Sequence, residues 1–244
     1  MSRFVLVHGA MGGAWIWERL TPELEAAGHT VQAIDLPGAG ADTTPVEDVS
    51  LDAYADRICA ALADGDDRAV LVGSSMGGVA ITQAAARCPE RIALLVYVAA
   101  FLPSAGQSLL DLTQLPEGAD DQVQANLVVT GEPPVATLPV PAAKEVVFGD
   151  CGEELAAWGA AQLGEQPLAP FMAPNDGADD SVPRTYVLCT RDRAIPPPLQ
   201  RRMIAENPCV DVVELDTDHS PMLSATSELA AALSRFASES ARSS

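Results

Sequence analysis

Short, unbroken apolar runs recur along the chain, and between most of them apolar residues return every three or four positions. Phe4–Val7, Ala69–Val72, Ile92–Ala99 and Arg184–Cys189 carry little or no polar alternation, which is the pattern of strands buried on both faces of a parallel sheet. Thr30–Ile34 and Cys209–Leu215 are further strand candidates. Trp15–Ala27 carries Trp15, Ile16, Leu20, Leu24 and Ala27 at helical spacing, with Pro22 suited to a first turn and Gly28 to a C-terminal stop. Leu51–Ala63, the segment through Val79–Ala86, Pro198–Glu206 and Ser227–Ser240 read as further helices. Strands alternating with helices predict an α/β fold with a mostly parallel, doubly wound sheet.

That rhythm stops at Phe101 and resumes after Asp180. Glycine, proline and acidic residues are scattered between them, and Glu153–Leu163 is the one long helical candidate. A stretch of roughly eighty residues is too long for a plain connection. Residues 1–100 and 181–244 are therefore expected to form the core, and 101–180 a small inserted cap over the site.

Charge narrows the partners. The 244 residues hold 34 acidic and 14 basic side chains, a formal charge of −20, and Lys144 is the only lysine. Such a surface opposes nucleic acid and anionic membranes and leaves small neutral ligands open. Cysteines 59, 88, 151, 189 and 209 are odd in number and never spaced as C-x-x-C, so they read as reduced core thiols. The first residues enter a strand without an apolar leader, and no apolar run is long enough to span a bilayer, so a cytoplasmic protein is expected. The three histidines are far apart and form no H-x-H or H-E-x-x-H pair, which predicts neither a metal nor another cofactor. Oligomeric state is left open, and a homodimer is compatible with the sequence.

The candidate chemistry centres on Gly73-Ser74-Ser75-Met76-Gly77, set between an apolar strand and an alanine-rich helix. A turn this tight has little room for a Cβ two residues either side of the serine, and it lifts the Ser75 hydroxyl out of the sheet beside a helix N-terminus. A serine nucleophile needs a base, and the base needs an orienting acid. His219 follows the last strand, where sites of open α/β sheets assemble, and is the expected base. His29 reads as structural at a turn, and His8 as shaping the loop after the first strand. Asp192, on the loop after the penultimate strand, is the expected acid; the competing reading makes it a surface carboxylate paired with Arg191 and Arg193. Oxyanion donors are expected from the backbone of Met76 and of Ala10. A dinucleotide fold is the rival for Gly9-Ala10-Met11-Gly12-Gly13, with Asp35 for the ribose, but the spacing is not G-x-G-x-x-G and gives Ser75 and His219 no use.

Phe4-Val5-Leu6-Val7-His8-Gly9-Ala10, Gly13-Ala14-Trp15-Ile16-Trp17, Asp35-Leu36-Pro37-Gly38, Gly73 to Gly78, Cys189 to Pro196 and Asp218-His219-Ser220-Pro221 together resemble the α/β-hydrolase family of plant methylesterases and hydroxynitrile lyases. The resemblance runs nearly end to end. It implies an α/β-hydrolase fold with a cap, Ser75, Asp192 and His219 as triad, Ala10 and Met76 as oxyanion donors, and a small-molecule ester as substrate. Gly9, Phe101, Leu102, Trp158 and Met222 are expected at the pocket. The lyases of that family that share this triad carry threonine at Gly9 and lysine at Ser220, so lyase chemistry is disfavoured here, although Lys144 offers a cation that could reach over. A non-catalytic small-molecule receptor on the same fold is the remaining alternative.

Overall fold

A computed structural model describes residues 1–243. The chain runs β1 (Arg3–Val7), α1 (Leu20–Ala26), β2 (Thr30–Ile34), α2 (Leu51–Ala63), β3 (Ala69–Ser75), α3 (Gly77–Arg87) and β4 (Ile92–Ala100). The stretch that breaks the alternation follows, with α4 (Leu109–Thr113), α5 (Gln122–Asn126), β5 (Val128–Thr130), β6 (Val135–Thr137), α6 (Val140–Ala142), α7 (Glu153–Gln162), β7 (Gln166–Pro167) and α8 (Ala169–Met172). The alternation ends with β8 (Arg184–Cys189), α9 (Pro197–Glu206), β9 (Asp211–Leu215), α10 (Pro221–Ser224) and α11 (Thr226–Ser243).

Six strands form one sheet in the order β2-β1-β3-β4-β8-β9, and every neighbouring pair is parallel. Successive side chains of a strand face opposite ways, so the strands feed two apolar cores. Val5, Val7, Leu71, Leu95 and Tyr97 pack with α2, α3 and α9, whereas Phe4, Leu6, Val70, Val96 and Val98 pack with α1 and α11. Phe4 to Val7 are fully buried, each stabilising the fold by about 1.5–3 kcal/mol relative to exposure. The chain leaves β1 toward one edge and returns at β3 on β1's other side. That reversal opens a crevice above the C-terminal ends of the two strands, where ligands of such sheets bind.

The alternating half of the chain follows its pattern closely, with α2 and β8 falling on the expected residues. The expected helix from Trp15 is interrupted: Ala14–Trp17 is a 3₁₀ turn, and α1 starts at Leu20. The inserted stretch holds more order than its composition suggests. Here β5, β6 and β7 make a separate antiparallel sheet, its strands only two or three residues long and so without readable periodicity.

The expectation of wholly reduced cysteines is overturned by a Cys59–Cys88 disulfide. The two residues are 29 apart in sequence and are brought together because α2 and α3 pack side by side, a relation that cysteine spacing does not encode. Cys151, Cys189 and Cys209 remain thiols. Among the described residues no helix is long and apolar enough to cross a membrane.

Candidate active site

Ser75 ends β3 and sits at φ +54°, a left-handed conformation that side chains rarely adopt and that marks a strained turn. The glycines around it are needed for close approach. A Cβ on Gly73 would lie 2.6 Å from the Gly77 carbonyl oxygen, and one on Gly77 2.7 Å from that of His8. Gly78 is held tighter still, because a Cβ there would run into the backbone carbonyl of Phe101. The elbow therefore sits hard against the ends of β1 and β4. Met76 is the N-cap residue of α3, and its N–H belongs to the unpaired donors that a helix presents at its start.

The loop after β1 comes to Ser75 from the other side. Gly9 is so near that a Cβ would stand 2.8 Å from that of Ser75. Met11, at φ +60°, is fastened at both backbone groups: its N–H donates to Gln166 Oε1 at 3.1 Å, and its carbonyl accepts from Gly164 at 2.8 Å. Gln166 Nε2 also donates to Tyr54 Oη at 3.0 Å. His8 Nε2 accepts from the Leu36 N–H at 3.1 Å, which leaves Nδ1–H to donate to the Gly9 carbonyl at 2.7 Å. Burial lowers the pKa of His8, with Gly9 and Asp35 pulling weakly the other way, so a neutral ring ties this loop down. Asp35 accepts from Ala14 and Ala41 N–H groups at 2.7 and 3.1 Å. Both its oxygens are thereby engaged in holding the loop, and the dinucleotide rival loses its ribose ligand.

Asp192, on the loop after β8, is 4% exposed. One carboxylate oxygen accepts from the N–H groups of Ala194 and Ile195 at 2.8 and 2.9 Å, and the other faces Gln200 Nε2 at 3.0 Å and His219 Nδ1 at 2.8 Å. Arg191 and Arg193 turn away to Asp150, Asp216 and Glu145, so Asp192 is no surface ion-pair partner. His219 follows β9 and is 6% exposed. Burial acts to lower its pKa, but Asp192, Asp218 and Asp121 outweigh it and raise the net value.

The neighbouring acids are otherwise engaged. Asp218 accepts from Ser220 and Asp150 N–H groups at 3.1 and 2.8 Å and from Ser224 Oγ at 2.7 Å, joining the His219 loop to the inserted stretch. Asp216 meets Thr190 and Arg191. His29 Nδ1 accepts from the Ser2 N–H at 3.2 Å and is structural. Lys144 is paired with Glu153 within the inserted stretch.

A cavity of about 300 Å³ opens beside Ser75, with Ala10, Met76, Phe101, Leu109, Phe171 and Ile195 among its walls. Of the expected wall residues only Phe101 faces it. Leu102 is buried with its N–H against Met203 Sδ, Trp158 packs edge-on against Trp15, and Met222 belongs to the core on the α1 and α11 face. Their size marked them as buried without telling which surface they face. A roomier hollow of about 720 Å³ lies at the opposite ends of the strands, beside Ala93, Leu94 and Asp211, and holds none of these groups.

Sequence reasoning did not single out Gln200, Gln166 or Asp121. The Gln166 side-chain amide hydrogen-bonds to Met11 and Tyr54, far away in the chain, and that of Gln200 to Cys189, Asp192 and Ile195 across one loop, and no motif announces either. Asp218 was visible only as a neighbour of His219. Among the described residues no three His, Cys, Asp or Glu side chains are grouped to hold a metal ion.

Residues 4–232 match the model of the alpha/beta hydrolase family. The chain is 33% identical to Methylesterase 7 of Arabidopsis thaliana, over 97% of this chain and 96% of that one. It is 32% identical to Salicylic acid-binding protein 2 of Nicotiana tabacum, over 97% of each. The crystal structure of polyneuridine aldehyde esterase superposes with a TM-score of 0.88 at 27% identity, covering 97% of this chain and 99% of that one.

Proposed function

The chain belongs to the α/β-hydrolase family, in its plant methylesterase-like group, and on that premise we propose that it is a serine esterase that cleaves small carboxylic esters through an acyl-enzyme. Ser75 is the nucleophile, His219 the general base and Asp192 the acid that orients it. The observation that carries this reading is the buried Asp192–His219 pair, 2.8 Å apart, on loops at the same end of the parallel sheet as Ser75.

Asp192 holds the Nδ1–H of His219, so Nε2 is the basic nitrogen. Ser75 Oγ attacks the carbonyl carbon as Nε2 takes its proton, and the backbone N–H groups of Ala10 and Met76 receive the oxyanion. Nε2 then protonates the leaving alcohol, and water repeats the sequence on the acyl-enzyme. Residues 101–180 act as a cap that supplies much of the cavity wall, including Leu109, Leu127, Leu168 and Phe171. Lyase chemistry loses support twice. Positions 9 and 220 are glycine and serine, where the lyases that share this triad carry threonine and lysine, and Lys144 is paired with Glu153.

Stopped-flow release of p-nitrophenol from its acetate and butyrate esters tests the proposal. A burst of about one equivalent followed by steady turnover is expected, with both lost in Ser75→Ala. Wild-type-like turnover by that variant would overturn it.

A further inference from the structure

The cavity beside Ser75 is apolar on most sides, and among the described residues no lysine or arginine lines it. Asp121 supplies its one carboxyl group, and this residue is only 7% exposed. Its position is fixed from several directions. The Asp121 N–H donates to the Gly118 carbonyl at 3.0 Å, and its Oδ1 accepts from the Gln124 N–H at 3.0 Å, which makes it the N-cap of α5. The next residue, Gln122, donates its N–H to the Arg193 carbonyl at 2.9 Å. Asp121 is thereby moored to the loop that carries Asp192.

Capping does not account for an acid here, because asparagine or serine caps as well and adds no buried charge. Among the described residues no guanidinium is paired with it: Arg193 reaches Glu145, and Arg202 pairs with Glu117 and Glu206. The titratable groups that act on Asp121 from the packed loops are His219 and Asp192. Burial raises its pKa to about 6, against the N–H bonds of Gln124 and Val123 and the pull of His219. The carboxyl is thus ionised at neutral pH and above, buried beside mostly apolar walls that screen a charge less than water does.

We propose that Asp121 is a specificity-determining residue that selects esters carrying an ammonium group over esters carrying a carboxylate. The inference rests on the esterase reading above and names the substrate class of that same cavity. A cationic group that enters meets an unneutralised carboxylate among apolar walls, whereas an anionic one meets like charge and loses its hydration.

The test compares methyl 4-aminobutanoate with monomethyl succinate. At about pH 8 the ratio of kcat/KM is expected to favour the ammonium ester by about tenfold or more. In Asp121→Asn, which keeps a capping side chain, the ratio should fall to within about twofold. In the wild type it should also begin to shrink as pH falls toward about 6 and Asp121 takes up a proton. A ratio unmoved by Asp121→Asn overturns the proposal, since the protein's overall negative charge would then explain any preference. Asp121→Ser gives a second capping variant should the asparagine protein fold poorly.

Calorimetry with butylammonium and butyrate on Ser75→Ala, with and without Asp121→Asn, separates this inference from the one it rests on. If no ester turns over but butylammonium binds in preference and Asp121→Asn abolishes that preference, the esterase reading fails and the selectivity stands. Equal binding of the two probes overturns the selectivity itself.

Discussion

Gln200 Nε2 donates to Asp192 Oδ2 at 3.0 Å, the same oxygen that faces His219 Nδ1 at 2.8 Å. A fully buried amide on α9 therefore shares the charge that orients the imidazole. Gln200 is further held by the backbone of Cys189 and Ile195, which fixes the loop after β8 as well as the carboxylate.

Replacing Gln200 with leucine removes one donor from Asp192 and leaves more negative charge for His219 to feel. The pKa of His219 should rise further, moving the acid limb of kcat/KM to higher pH. The loss of bonds to Cys189 and Ile195 should cost about 1–3 kcal/mol of stability, read as a lower denaturant midpoint. A variant that is less stable but keeps the wild-type pH profile would limit Gln200 to a packing role.

His219 itself makes a signed prediction. In the proposed mechanism it must be neutral to accept a proton from Ser75, and its acidic neighbours, against the effect of burial, raise its pKa above the ordinary 6.5. The acid limb of kcat/KM for a neutral ester should therefore have its midpoint above 6.5, with activity lost below it. The linkage to folding has the opposite sense: the folded state holds the His219 proton more tightly, so this contribution is fully present below 6.5 and is lost as pH rises through the folded value. His8, whose pKa is lowered, offsets part of it, because below 6.5 the unfolded chain takes up a proton that the folded ring does not. A pH–rate profile on p-nitrophenyl butyrate decides the catalytic half, and a midpoint below 6.5 contradicts the assignment.

The sequence disclosed the sheet and the elbow for one reason and concealed the cavity for another. Strands such as Phe4–Val7 are buried on both faces, so their composition alone reveals them, and the glycines around Ser75 record a backbone approach that nothing else permits. The Asp192–His219 pair was legible through position, since the two residues follow neighbouring parallel strands and so share the C-terminal edge of the sheet. Leu102, Trp158 and Met222 were not, because a large apolar side chain is buried whether it faces a ligand or the core. The Cys59–Cys88 bond and the Gln166 bridge depend on tertiary neighbours that lie outside any local pattern, and the Gln200 bonds depend on how the loop after β8 folds back onto α9.

Gly78 offers a test of the elbow that is independent of catalysis. A methyl group there would meet the Phe101 carbonyl and stand 3.0 Å from Ala100 Cβ, and both obstacles belong to the end of β4 and its exit. Neither can yield without shifting the backbone beside Ser75. Gly78→Ala should therefore destabilise the protein by about 1–3 kcal/mol or more, despite the better helix propensity of alanine. Urea unfolding measures it, and an unchanged or raised midpoint would show that α3 can move away from β4.

Gly9 tests the opposite wall. A methyl group there would stand 2.8 Å from Ser75 Cβ and 3.4 Å from its Oγ, so it should act on the nucleophile more than on the fold. Gly9→Ala is expected to lower kcat for p-nitrophenyl acetate by about 100-fold, the cost of a misplacement near 1 Å at a reacting atom. KM should change little, because the cavity walls are left in place. Gly12→Ala serves as the comparison within the same loop: its methyl would lie 3.3 Å from the Gly9 carbonyl and 3.5 Å from His8 Nδ1, a tight fit that leaves Ser75 untouched. If both variants lose activity equally, the loop as a whole sets the geometry. If Gly9→Ala alone is impaired, the contact between position 9 and the serine is what holds the nucleophile in line.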